Sequence, residues 1–228
     1  MKRVLGLAAA ALLVGAPVSA QMSNGIGRLV GAAAVPFGAF AEQIDAGWGG
    51  GIAVDMPVAM NGSLAIRLDA MGFQYGHEEE EVVFTPGPRR VTGKLTTRNN
   101  LGFITLGPEF RAASGPIRPY AHAFAGVGYM WTQSELRGSS DSEPFATTVN
   151  HDDASFAWGG GAGLTVPLFS TGSTSIALDL GARFADLGRP EYVTEGGVQD
   201  EPNGDVTVTP VRTRVQLAGV HLGVGIGF

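Results

Sequence analysis

Period-two alternation of apolar and small or polar residues dominates this sequence and sets the narrowest limit on its fold. Segments rich in Gly, Ala, Val, Leu and aromatic residues recur about eight times, near 26–35, 47–57, 63–75, 100–112, 118–132, 154–167, 174–186 and 211–228. That is the period of an extended strand, whose side chains point alternately to opposite faces. The gaps alternate in length. Three are short and turn-like, PVAMNGS from Pro57, ASGP ending at Pro116 and LFSTGS from Leu168, and four are long, at 36–46, 76–99, 133–153 and 187–210. Short turns at one end and long connections at the other predict an all-β fold, an eight-stranded antiparallel up-and-down barrel with both termini at the short-turn end.

Within each segment one parity is apolar. Val220, Leu222, Val224, Ile226 and Phe228 alternate with Gly219, His221, Gly223, Gly225 and Gly227, and Ile176, Leu178, Leu180 and Phe184 with Ala177, Asp179, Gly181 and Arg183. Leu64, Ile66 and Leu68 alternate with Ala65, Arg67 and Asp69, and Ile52, Val54 and Met56 with Ala53 and Asp55. A soluble sandwich would bury the apolar parity and wet the other, whereas a transmembrane barrel turns the apolar parity to lipid and the polar one inward. Alternation alone does not choose between them.

Three further features favour the transmembrane form. The apolar runs have roughly the 9 to 11 residues that a tilted strand needs to cross hydrocarbon. Aromatic residues gather towards strand ends: Trp48, Tyr75, Tyr129, Trp131, Phe156, Trp158 and Phe184 near the long gaps, Phe110, Tyr120, Phe169 and Phe228 near the short ones. Such girdles form where amphipathic rings meet lipid headgroups. The inward parity also carries Asp55, Arg67, Asp69, Glu109, Arg111, Asp179 and Arg183, with Arg28 a possible eighth. Eight strands leave a lumen about one side chain wide, so these charges are expected to interdigitate as a closed polar plug.

The phase is open in three segments. In the last, Arg212, Arg214 and Gln216 share the parity of the outward residues, so either the strand rises above the membrane there or a bulge near Ala218 and Gly219 resets it. The fifth sends Phe124 inward if Ala121, Ala123 and Ala125 face out, and the first, IGRLVGAAAVP, fits either phase poorly.

The opening MKRVLGLAAAALLVGAPVSA has two basic residues, a short apolar run and a small-residue end at Ala20. It reads as a secretory signal at residues 1–20, since a spanning helix needs roughly 20 apolar residues. The mature chain is then residues 21–228. Removing Lys2 and Arg3 from 15 basic residues leaves 13 against 21 acidic ones, a net charge near -8 that argues against a nucleic-acid partner. No cysteine is present, which removes disulfides, thiolate metal sites and a cysteine nucleophile.

The C-terminal run VHLGVGIGF ends an amphipathic strand on Phe228, PFGAFAEQIDAGWGGGIAVDMPV joins a PxGxF stretch to D-x-G-W, and PYAHAFAGVGY opens the fifth segment. With these the chain resembles the small bacterial outer-membrane β-barrels of the OmpA-like and OmpX-like group over residues 21–228. The resemblance implies a bacterial outer-membrane location with both termini in the periplasm. It also implies a monomer surrounded by outer-membrane lipids and lipopolysaccharide, and Phe228 as the signal read by the outer-membrane assembly machinery. It implies an architecture and no catalytic motif, and the peptidoglycan-binding domain of larger relatives is not expected after the barrel.

Chemistry-bearing residues offer little else. A lipid A deacylase of this family would carry H-x-S-N, and none of His77, His122, His151 and His221 is followed by it. His122 and His221 have inward parity and read as neutral or partnered interior imidazoles. HEEEE from His77 and HDD from His151 read as solvated acidic surface, without the spacing of a preorganised cation loop. Arg89, Arg90, Lys94 and Arg98 form the one basic cluster, explained equally by contact with lipid phosphate and by pairing with the nearby glutamates. No catalytic, cofactor or metal residues are assigned. The function expected is a non-catalytic structural or surface-interaction barrel of the cell envelope, with a narrow ion or small-solute channel and a soluble secreted ligand-binding barrel as alternatives.

Overall fold

The computed structural model describes residues 25–84, 91–138, 143–144, 146–172, 174–200 and 206–228. The segment read as a signal and the basic residues Arg89 and Arg90 lie outside the described residues. Eight strands close into one antiparallel barrel: β1 (Ile26–Phe37), β2 (Gly47–Ala59), β3 (Leu64–Phe84), β4 (Val91–Arg111), β5 (Arg118–Gly138), β6 (Ala146–Thr171), β7 (Thr174–Asp186) and, after four short strands, β12 (Gln216–Gly227). Each pairs with its chain neighbour, and β12 seals the ring against β1 from Ile26↔Gly227 to Phe37↔Gln216. The up-and-down order expected from the alternation is the order found.

The turn after β2 shows how sequence fixes the short end. Asn61 (φ 52°) and Gly62 (φ 89°) both take the left-handed backbone that Asn and Gly tolerate best, so the chain reverses within Met60–Gly62.

The open phases resolve. β1 turns Arg28, Val30 and Ala34 inward and Leu29, Val35 and Phe37 outward. β5 sends Tyr120, His122, Phe124 and Met130 inward and Ala121, Ala123, Ala125 and Val127 outward. The last strand is shorter than the 211–228 expected: β12 begins at Gln216 and keeps one register with both neighbours, without a bulge, while Arg212 pairs with Glu191 in a small ladder of the preceding loop and Arg214 lies between the two.

Three expectations need correction. The gaps at 76–99 and 133–153 are largely strand: β3 pairs with β4 up to Phe84↔Val91, and β5 with β6 up to Leu136↔Ala146. Runs such as TTRNN and TQSEL have polar residues on both faces, so they lack the hydropathy contrast by which a half-buried strand is recognised. Tyr120 and Tyr75 are not girdle residues. Tyr120 shares the inward parity of His122, and Tyr75 that of Met71 and Phe73, which sets its ring against Phe40 and Tyr192.

The third correction concerns the interior, which is charged only in its short-turn half. Towards the long loops it is filled by Met71, Phe73, Leu101, Phe103, Phe124 and Met130, with Phe103 stacked between Phe73 (6.0 Å) and Phe124 (6.4 Å). Above them the loops fold in. The loop after β1 contributes Phe40 and Ile44, and the last loop contributes Leu187, Tyr192, Val193 and Val215, all four essentially without solvent contact. Phe40 meets Tyr192 edge to face at 5.2 Å. The last loop is braced by two small ladders, β8 (Glu191–Tyr192) with β11 (Val211–Arg212) and β9 (Val198–Asp200) with β10 (Val206–Val208). It forms a lid over a dry section. Apolar residues on both parities of β3, β4 and β5 were the available signal for it.

Candidate functional site

The short-turn half of the lumen holds a buried charge network, and its hub is Arg28 at the start of β1. Arg28 Nη1 ion-pairs with Asp55 on β2 and lies 3.2 Å from Glu109 Oε2 on β4, while its Nε donates to Asp179 Oδ2 on β7 at 3.0 Å. One guanidinium thus ties three strands to a fourth. Arg67 Nη1 donates to Glu109 Oε2 at 2.9 Å, and its Nε and Nη2 hold Asp69 at 3.0 and 2.9 Å. Arg111 Nη1 is 3.6 Å from Asp55 and 4.0 Å from Glu109, and Arg183 Nη1 is 3.6 Å from Asp69. Four arginines meet four carboxylates, so the formal charge of the cluster is zero when its histidines are neutral. Strand geometry explains the grouping: Asp55 and Arg67 are directly paired across β2 and β3, and Arg67/Asp69 and Glu109/Arg111 stand two residues apart on one face.

Three residues outside that set of charges, Tyr120, His221 and Thr165, complete the cluster around Asp179. The Tyr120 hydroxyl lies 3.0 Å from both Asp179 Oδ1 and His221 Nε2, and His221 Nε2 is 3.0 Å from the same carboxylate oxygen. Thr165 Oγ1 donates to Asp179 Oδ2 at 3.2 Å. The Arg28 guanidinium also lies over the Tyr120 ring at 4.9 Å, and that of Arg183 over Phe124 at 4.6 Å, at the boundary with the dry section. Between Asp179 and Arg183 on this crowded face of β7 stands Gly181, where a Cβ would lie 2.6 Å from His221 Cε1. Every carboxylate has an arginine within 4.0 Å. Such a set braces strands against one another.

The outer surface is the inverse of a soluble protein's. Leu29, Ile52, Ile104, Val127, Leu164, Leu178, Val220 and Leu222 are exposed around the ring. Trp48 (68 % exposed), Phe156 and Trp158 bound this belt towards the long loops, with Phe184 stacked on Phe37 at 5.8 Å and edge-on to Trp158 at 6.3 Å. Phe110, Phe169 and Phe228 are exposed towards the short turns. The Phe228 amide donates to Gly25 O at 3.0 Å, extending the β1–β12 seam by one residue.

Beyond the belt β3, β4, β5 and β6 continue as a four-stranded wall. Its outer face is stitched by charge: Lys94 meets Glu79 at 2.5 Å, and Arg98 and Arg137 meet Glu135 at 3.2 and 2.8 Å. The hydrogen bond from Lys94 holds the Glu79 carboxyl below the usual carboxylate range. The other face is held by uncharged groups, Thr97 with Ser134 (2.8 Å), Asn150 with Ser134 (2.7 Å) and Thr132 with Asn99 (2.7 Å). The acidic runs do not converge. Strand alternation puts Glu78 and Glu79 on opposite faces, and Glu78 accepts the Gly196 amide of the lid. Asp152 accepts from the Tyr129 hydroxyl at 2.9 Å, and Asp153 accepts the Glu191 amide at 2.8 Å.

No family model and no curated protein matches the chain. Solved structures with a similar course include Neisserial surface protein A, at 13 % identity and TM-score 0.44 over 89 % of this chain and 95 % of that one. The outer membrane protein OprG from Pseudomonas aeruginosa aligns at 14 % identity and TM-score 0.44, over 90 % and 96 % of the two chains. Ail, the attachment invasion locus protein of Yersinia pestis, aligns at 13 % identity and TM-score 0.43, over 90 % and 97 %.

Proposed function

We propose that this chain is a non-catalytic β-barrel of a bacterial outer membrane, a closed monomeric plug that displays a β-sheet wall and a folded lid at the cell surface. The observation that carries this reading is the exposed apolar belt around a buried, charge-balanced lumen. In water the belt would leave a large apolar surface unburied, and in lipid it is the favoured exterior. Closure matters as much, because hydrocarbon offers no partner to an unpaired edge, and the ring of strands leaves none at the β1–β12 seam. The interior network is read as a structural brace and the wall as the surface offered to partners. Phe228, at the end of the sealing strand, is the candidate signal for assembly.

Orientation and location are tested together with single cysteines, which the natural sequence lacks. Thr147 is exposed high on the wall and Asn61 sits in a short turn. In intact cells a membrane-impermeant maleimide should label Thr147→Cys and leave Asn61→Cys unlabelled until the outer membrane is permeabilised. Labelling of Asn61→Cys alone in intact cells would place the short turns outside and reverse the assignment.

A further inference from the structure

Just above the aromatic trio of exposed Phe37 and Trp158 and half-buried Phe184, a crevice of about 450 Å³ opens on the outer side of the barrel, between the top of β6 and the loop that follows β7. Arg189, Arg212 and Arg214 line it, and Trp158 forms its lower edge. The carboxylates that share the crevice are already engaged. Asp186 accepts from the Gly188 amide (2.9 Å), Arg214 Nε (2.9 Å) and Gln216 Nε2 (2.8 Å), and Asp153 accepts the amides of Ala154 (2.9 Å) and Glu191 (2.8 Å). Arg212 is positioned by its Nε donating to Arg189 O at 3.0 Å, and it reaches Glu191 only at 3.9 Å. Even so, the side chains of Arg212 and Arg214 remain 67 % and 54 % exposed. Arg214 is committed to Asp186 through Nη2 (2.7 Å) as well as Nε, so Arg189 and Arg212 supply the exposed guanidinium groups where the lipid-facing belt ends.

We infer that this crevice binds the phosphate groups of a multiply phosphorylated glycolipid in the leaflet on the long-loop side; this inference rests on the membrane reading above. A guanidinium presents paired donors that match phosphate oxygens, and those of Arg189 and Arg212 together suit more than one negative charge. Trp158 and Phe184 mark the depth of the headgroup level, because amphipathic rings settle at the membrane–water interface. A lipid is favoured over free phosphate because the crevice is continuous with the apolar belt. Acyl chains running down past Phe156 and Phe184 would bury apolar surface that a free anion does not possess. The sequence-level basic cluster is a weaker candidate, since Lys94 and Arg98 each face a glutamate on the same side of the wall.

The test is retention of lipid by the purified full chain in detergent micelles, counted by native mass spectrometry. The probes are diphosphoryl lipid A, the same lipid enzymatically dephosphorylated, and phosphatidylglycerol. Diphosphoryl lipid A should be retained in preference to the other two, and millimolar inorganic phosphate should not displace it. Arg189→Gln with Arg212→Gln, which leaves the Arg214–Asp186 pair intact, should lower retention at least about tenfold. Lys94→Gln with Arg98→Gln should leave retention unchanged. Unaltered retention in the Arg189/Arg212 variant, equal retention of the dephosphorylated lipid, or displacement by inorganic phosphate would each overturn the inference. Insertion of the natural chain into phosphatidylcholine vesicles separates the two readings. A chain that inserts but fails these tests loses only the lipid site, whereas a chain that does not insert loses both.

Discussion

Arg28 ties the interior together because its guanidinium meets carboxylates from β2, β4 and β7 while its own backbone belongs to the sealing strand β1. Removing it leaves Asp55, Glu109 and Asp179 short of positive charge in a space without solvent. The predicted cost of Arg28→Ala is about 3–5 kcal/mol, the range for one buried partner left without its counter-charge. Urea unfolding of the protein in lipid vesicles measures it, and Glu79→Gln on the exposed wall should leave the unfolding midpoint nearly unchanged. Parity placed seven charges of this cluster on one face of their strands. Arg28 was harder to read because Gly27, Gly31, Ala32 and Ala33 around it provide no hydropathy contrast. Tyr120 was missed for another reason: a tyrosine near a strand end suits a headgroup girdle and an interior hydrogen bond equally well, and only the register with Arg111 decides.

At the scale of elements, the lid and the seam each make a separable prediction. Tyr192 closes the lid through edge-to-face contact with Phe40 and a 2.7 Å hydrogen bond between its hydroxyl and Thr213. Burial pushes its hydroxyl above the ordinary tyrosine range. A raised value favours the protonated form in the closed lid. The stabilisation it brings is therefore complete below about pH 10, where an unfolded tyrosine ionises, and fades as the pH rises through the folded value. The absorbance difference at 295 nm between the natural chain and Tyr192→Phe should titrate above that pH; a titration at or below it would mean an open lid. At the seam, deleting Phe228 should lower assembly in cells more than it lowers refolding of purified protein into detergent. Equal losses in both assays would assign Phe228 to packing. The strands that carry the belt were legible because the apolar exterior and the charged lumen put opposite polarities on alternate residues. The upper halves of β3 to β6 were not, because both faces are wet or hydrogen-bonded to polar neighbours, and the two- and three-residue strands of the lid are too short to show a period.

The whole molecule is an inverted globule: apolar outside, charge-balanced in one half of its lumen, dry and aromatic in the other, and covered at the long-loop end. Among the described residues this stacking fills the lumen with buried side chains, so the protein in planar bilayers should show no steady nanosiemens-scale conductance. A stable conductance of that size would require the lid and the Phe73–Phe103–Phe124 stack to move aside and would favour a channel. The inversion itself is tested most directly by asking where the chain folds. Denatured protein diluted into detergent micelles or lipid vesicles should gain β-sheet circular dichroism and a shifted mobility on an unboiled gel, and diluted into plain buffer it should do neither. A monodisperse, folded protein in plain buffer would contradict the account, because the belt from Leu29 to Leu222 would then have to be buried against something other than lipid.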